Sequence, residues 1–274
     1  NDLCKNLAGK TKMIHLIALI IPVILYFFEA YPRFFNRYFG VDVWTRMIEA
    51  NLIRRTRHRI PMQKISNGFI LKGYFNYPPV FPWLLSFMSK KRLLKYQGFI
   101  APVFDSIQAL LVYIMTLQLT GSINIAILSQ FIYATTPLLV LENSYLTPRS
   151  LGYLNFTLAF FPVLLYSVTP NLIYLIFGLI FTTLIFFTHK FATQSLLLIS
   201  IFFTIIERNP LYITVFLIGL ILAIAVSRGY YFRVFGGHLG NIIFWFRNYN
   251  YRFAHQVRGL TEKNKKRDFV GQIY

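Results

Sequence analysis

In YFGVDVWTRMIEANLIRRTRHRIP, residues 38–61, one aspartate stands ahead of a helix-like run that closes on a cluster of arginines. Asp42 can accept a backbone N–H as the N-cap of that helix, or it can take a proton from a hydroxyl and turn it into a nucleophile. Arg54, Arg55 and Arg57, together with His58 and Arg59, offer guanidinium forks to the oxygens of a phosphate or pyrophosphate. The same run also reads as a basic patch for anionic lipid headgroups. With nine Asp and Glu against 28 Lys and Arg, every acid calls for an account.

Asp105, in APVFDSIQALL, and Glu142, in LLVLENSYLTPRS, fall in or beside apolar segments, where an ionised group is costly unless it is paired or wet. Each reads as a substrate-binding acid or as a structural one: Asp105 hydrogen-bonded to Ser106 or Gln108, Glu142 ion-paired with Arg149. His189 and Lys190, in FFTHKFATQS, can hold a phosphate, or Lys190 can snorkel to the interface. Glu29 ends an apolar run, where an acid reaches the interface. Glu49 has only Ile53 at i+4 and needs a partner from elsewhere. Asp2, Glu262 and Asp268 sit in polar ends, and Glu207 pairs with Arg208. The lone Cys4 excludes an intramolecular disulfide and a multi-cysteine metal site. No compact ligand cluster supports a metal at Asp42 and Glu142, so neither metal nor cofactor is expected.

The elements that must position these groups are membrane helices. Aliphatic and aromatic residues make up 56% of 274 positions, 29 of them Phe, with a formal charge of +19. A soluble domain of this size cannot hide so much apolar surface, whereas a bilayer removes the need. The expected fold is all-α, a single polytopic bundle over 1–274 of about seven spans, near 13–31, 99–119, 122–141, 151–168, 171–188, 191–207 and 210–227. The short links TGS, TPN and ERNP force antiparallel hairpins. In the long first loop, 32–98, Trp44, Met47, Ile48 and Leu52 recur at helical spacing, which predicts an amphipathic helix in the headgroup plane. The basic tail, 228–274, mixes aromatics and arginines as an interfacial helix pair would. The basic lead-in is read as a retained anchor, since no small-residue cleavage site follows. The absent initiator Met and abrupt charged end predict a fragment of a longer protein.

Alternating seven spans places 24 of the 28 basic residues on one face: 13 in the first loop, Arg149 and Lys190 in two turns, and nine in the tail. Such a charge implies anionic membrane lipids or a lipid-linked phosphate as partners, and no nucleic acid. The positive-inside rule would make this face cytoplasmic, although it weakens for loops longer than about 60 residues.

The stretch GYFNYPPVFPWLLSF, 73–87, adds Tyr77 and a pair of prolines suited to a bent re-entry into the membrane. FGVDVW, a helix ending in HRIP, and then YPPVFPWLLSF together resemble the first extracytoplasmic loop of the GT-C class of polytopic glycosyltransferases, glycosyltransferase family 39-like. That class takes polyprenyl-phosphate-linked or dolichyl-phosphate-linked sugars as donors. The resemblance covers mainly 38–88, with looser similarity to about 227. It implies a catalytic acid at Asp42, a donor phosphate near Lys190, Arg149 or the arginine cluster, and an extracytoplasmic active face of a multi-pass cell-membrane protein. Two other classes remain open. One is a lipid-handling enzyme or transporter with a cytoplasmic basic face and Asp105 as its ion group. The other is a noncatalytic subunit of a membrane protein complex.

Overall fold

A computed structural model describes residues 2–36, 40–62 and 73–258, with side chains for 15–36, 40, 42–62 and 73–247. The features noted above at Asp2, Cys4, Glu262 and Asp268 lie outside the described side chains. The described residues are helical, without a strand. In chain order the helices are α1 (Asp2–Phe35), α2 (Val41–Arg55), α3 (Val80–Ser86), α4 (Lys90–Tyr96), α5 (Ile100–Thr120), α6 (Ile123–Thr135) and α7 (Pro137–Asn143). They continue with α8 (Arg149–Val168), α9 (Leu172–Ile185), α10 (Lys190–Ile206), α11 (Leu211–Val226) and α12 (Tyr230–Arg258).

The hairpin links are set by local chemistry. Gly121 ends α5 in the left-handed region at φ 64, and the Ser122 hydroxyl caps α6 by accepting the Ile125 N–H. Asn171 caps α9 in the same way, accepting from Ile173 at 3.0 Å. Pro137 has no N–H with which to continue α6, so the chain bends by 57° and restarts as α7.

Each of the seven expected apolar segments is helical, but they differ in length. His15–Phe35, Lys90–Thr120 and Arg149–Val168 are long and apolar enough to cross a membrane, and the bent pair α6–α7 is a fourth if it forms one span. Helices α9, α10 and α11 have 14, 17 and 16 residues, below the roughly 20 that a bilayer core asks of an upright helix. Length and composition therefore carry three or four spans. Among α9, α10 and α11, helix α9 is the shortest because a turn at 186–188 ends it at Ile185, two residues before the apolar run stops.

Helix α8 packs against α5, α9, α10 and α11, and α1 packs against α5, α6 and α7. Exposed apolar surface is plentiful: Phe28, Leu138, Val168, Leu198 and Ile205 are all largely exposed, a pattern compatible with a bilayer environment. Helix α2 lies over the end of this bundle, with Val43, Met47 and Ala50 buried in one cluster with Phe81, Leu85, Leu151 and Leu154, and Ile53 in a second with Phe186 and Tyr231. Its apolar face is thus rotated from the expected one. Met47 is buried, whereas Trp44 and Ile48 are 49% and 37% exposed. The expected tail pair is a single helix, α12, whose Tyr230, Tyr231 and Val234 are buried while Phe232, Phe235 and Phe246 face outward.

Candidate functional site

The rotation of α2 turns its polar stripe inward. Arg46 and Glu49, one helical turn apart, are 7% and 5% exposed, and the Arg46 Nη1 donates to Glu49 Oε2 at 2.6 Å. The guanidinium carbon lies 3.6 Å from the centre of the Tyr77 ring, a desolvated cation–π contact. Burial pushes the Glu49 carboxyl up to about 7, partly opposed by Arg46, and pushes the Tyr77 phenol up to about 12. Tyr77 is held in place by its carbonyl, which accepts from the Tyr230 hydroxyl at 3.0 Å. Gly237 lets α12 close on this loop: a Cβ there would sit 2.7 Å from the Asn76 carbonyl oxygen.

Asp42 is the second residue of α2 and is exposed. The N-cap is Gly40, with no side-chain cap bond, so the capping reading of Asp42 fails. Gly40 adopts φ 104 and lies against the Tyr145 ring, 2.9 Å from where a Cβ would stand. Tyr145 in turn donates to Glu142 Oε2 at 2.9 Å, and the same oxygen is ion-paired with Arg149. The Glu142–Arg149 pair foreseen as a structural contact is therefore present, and it forms one wall of the Asp42 neighbourhood.

His189 and Lys190 come to the same end of the bundle, within electrostatic reach of Arg46. The His189 ring lies over Gly152 of α8, where a Cβ would come within 2.7 Å of the histidine Cβ and 3.1 Å of Nδ1. Asn155 Nδ2 donates to Thr188 Oγ1 at 2.8 Å and pins the same turn. Burial, aided by the charges of Arg149, Lys190 and Arg46, drives His189 down to about 3; burial and Lys190 drive His238 on α12 down to about 4. Both imidazoles are neutral at physiological pH. Lys190 is within electrostatic reach of Arg46 and Asp42. Among the described residues the ion pairs are Arg46–Glu49 and Arg149–Glu142, so Lys190 has no carboxylate in contact. Four buried atoms around this end have no hydrogen-bond partner: Arg46 Nε, His189 Nδ1, Ser150 Oγ and His238 Nε2. Buried polar atoms left open in this way mark a place for water or a ligand.

No protein-family model matches the chain, and no curated protein matches it either. The chemistry of the site rests on its own residues: a solvent-facing carboxylate, an ammonium over the Phe191 ring with no carboxylate in contact, two paired guanidiniums and two neutral imidazoles. No group of three or more His, Cys, Asp or Glu side chains among the described residues could hold a metal ion.

The other expected site residues lie apart from this cluster. Arg54 is spent on structure: its Nε donates to the Ser86 carbonyl at 3.0 Å, its Nη1 to Asn51 and its Nη2 to the Met88 carbonyl, tying α2 to the end of α3. Arg55, the last residue of α2, and Arg57 beyond it are exposed, with Arg57 and His58 at positive φ. Asp105 is fully buried in α5, and its partner is neither Ser106 nor Gln108. It accepts from the Tyr133 hydroxyl at 2.6 Å, while Gln108 donates to Thr157. Glu29 does not reach the interface and is 0% exposed beside Asp105. Glu207 accepts from Tyr212 at 2.6 Å. Sequence reasoning missed Arg46, Glu49, Gly152 and His238. The i, i+3 spacing of Arg46 and Glu49 was the available signal; nothing local marks His238.

Proposed function

We propose that the chain is a membrane glycosyltransferase that moves a sugar from a polyprenyl-phosphate-linked donor to an acceptor hydroxyl with inversion. The supporting observation is that the exposed Asp42 lies within electrostatic reach of Lys190, which has no carboxylate in contact among the described residues, at the bundle end roofed by α2. In this reading α9–α11 complete a bundle of about seven spans, shorter ones being accommodated by local thinning of the bilayer, and the basic face is extracytoplasmic. The donor's isoprenoid chain lies among the spans, with its phosphate against Lys190 and Arg149.

Asp42 takes the proton of the acceptor O–H as that oxygen attacks the anomeric carbon, since an unaided hydroxyl is a weak nucleophile at neutral pH. The bond from the anomeric carbon to the phosphate oxygen breaks, and polyprenyl phosphate leaves with the bonding pair. Lys190 and Arg149 stabilise the charge that gathers on the departing phosphate, most strongly where water is thin. Neutral His189 and His238 contribute hydrogen bonds without adding charge. Arg46, fixed by Glu49 and Tyr77, supplies a positive field behind them.

Native mass spectrometry of the protein in lipid nanodiscs with added polyprenyl phosphate tests the binding half of this reading. Retention that drops at least about tenfold in Lys190→Ala, equivalent to about 1.4 kcal/mol, is the expected result. Equal displacement by phosphatidylglycerol would reduce the site to a general anionic-lipid patch and remove the donor assignment.

A further inference from the structure

A second polar cluster lies inside the bundle, on helices α1, α5 and α7. Glu29 on α1, Asp105 on α5 and Asn143 at the end of α7 are each 0% exposed. Glu29 and Asp105 lie close enough to act on each other electrostatically, on helices α1 and α5 that pack together. Yet no N–H or O–H of the described residues donates to either oxygen of Glu29 or to Asp105 Oδ2; Asp105 Oδ1 alone receives one, from Tyr133 on α6. A carboxylate in a dry interior without donor or cation is costly, and a second one nearby adds repulsion, so the arrangement calls for a hydrogen on the pair. Asn143 faces Asp105, with neither its nitrogen nor its oxygen in a completed hydrogen bond.

Among the described residues the ion pairs are Arg46–Glu49 and Arg149–Glu142, and neither includes Glu29 or Asp105. Arg33, one turn beyond Glu29 on α1, sends Nη1 to the Asn36 carbonyl at 3.1 Å. Arg149 and Glu142, next to α8 and α7, are paired with each other. Tyr133 on α6 donates to Asp105, Tyr153 on α8 lies within electrostatic reach of it, and Ser106 beside Asp105 has a buried hydroxyl without a partner. The cluster also adjoins the α6–α7 bend, where Pro137 interrupts the helical ladder. Polar side chains beside a broken membrane helix are the usual setting of a small-ion site.

We propose that Glu29 and Asp105 form a membrane-embedded proton-binding site in which one hydrogen shared between the two carboxyl groups, with Tyr133 and Asn143 around it, ties α1 to α5 and to the α6–α7 bend. The ligand is a proton, held as a carboxylic acid donating to a carboxylate. This site is independent of Asp42 and of any sugar chemistry.

Infrared difference spectroscopy of the full chain in nanodiscs tests it, in a Glu49→Gln background that removes another carboxyl titrating near neutrality. The expected result is a protonated-carboxyl C=O band at neutral pH that moves on exchange into deuterium oxide. Glu29→Gln abolishes the band, because the new amide and Tyr133 together satisfy an ionised Asp105, and Asp105→Asn shifts it. Absence of such a band in the Glu49→Gln protein overturns the proposal, as does a band unchanged by both substitutions. A melting temperature that rises with sodium chloride but not choline chloride, with no band, assigns the site to a metal cation instead. Should either variant fail to fold, the band and its deuterium shift in the Glu49→Gln protein decide the matter alone.

Discussion

Burial raises the Glu49 carboxyl to about 7 from an ordinary 4.5, even though Arg46 pulls it down. The sign of the linkage follows directly. The folded state holds the Glu49 proton more tightly than the unfolded chain, so its contribution to stability is fully present below pH 4.5 and is lost as pH rises through about 7. The difference in melting temperature between wild type and Glu49→Gln in nanodiscs should therefore change across that window and level off above it. A pH-independent difference would mean that the carboxyl is solvated. Asp42 behaves differently because it is exposed and caps nothing. Asp42→Ala should leave thermal stability within about 0.5 kcal/mol, as surface substitutions do, where a true N-cap would lose about 1 kcal/mol.

At the scale of elements, two glycines set how closely helices approach the site. Gly40 combines φ 104 with contact against Tyr145, and Gly152 lies directly beneath His189. Gly152→Ala should cost about 1–3 kcal/mol by overpacking and move His189 off α8, read as a lower melting temperature with weakened polyprenyl phosphate retention. An unchanged melting temperature would show that the histidine can swing clear. The helical character of each apolar run was legible from hydropathy, and the Glu142–Arg149 pair from spacing. The orientation of α2 was not, because periodicity finds an apolar stripe without knowing that Ala50 and Val43 extend it and that Arg46 and Glu49 face protein rather than water. The partners of Asp105 were equally hidden: Tyr133 and Glu29 come from α6 and α1, 28 residues along the chain in the first case and far upstream in the second. Arg54 looked like a phosphate ligand because sequence cannot tell that the carbonyls of Ser86 and Met88 wait for it.

For the molecule as a whole, the open choice is which side of the membrane carries the basic end. The first loop, the turns holding Arg149 and Lys190, and the start of α12 share that end, so one accessible position reports on all of them. Lys91 on α4 is exposed, and Lys91→Cys in a Cys4→Ser background should be labelled by a membrane-impermeant maleimide in intact cells. Labelling only after the cells are opened would place the basic end in the cytoplasm, as the positive-inside rule prefers, and a transferase using an extracytoplasmic donor would no longer fit. The central claim concerns Asp42 as the base that activates an acceptor hydroxyl. Release of polyprenyl phosphate from a panel of polyprenyl-phosphate-linked hexoses and pentoses, compared between wild type and Asp42→Asn in the same membranes, tests it most directly. The account predicts that wild type consumes a member of the panel and that the variant, present and folded, is slower by about 100-fold or more. Turnover by Asp42→Asn within a few-fold of wild type, or no turnover of any donor by wild type, would contradict it.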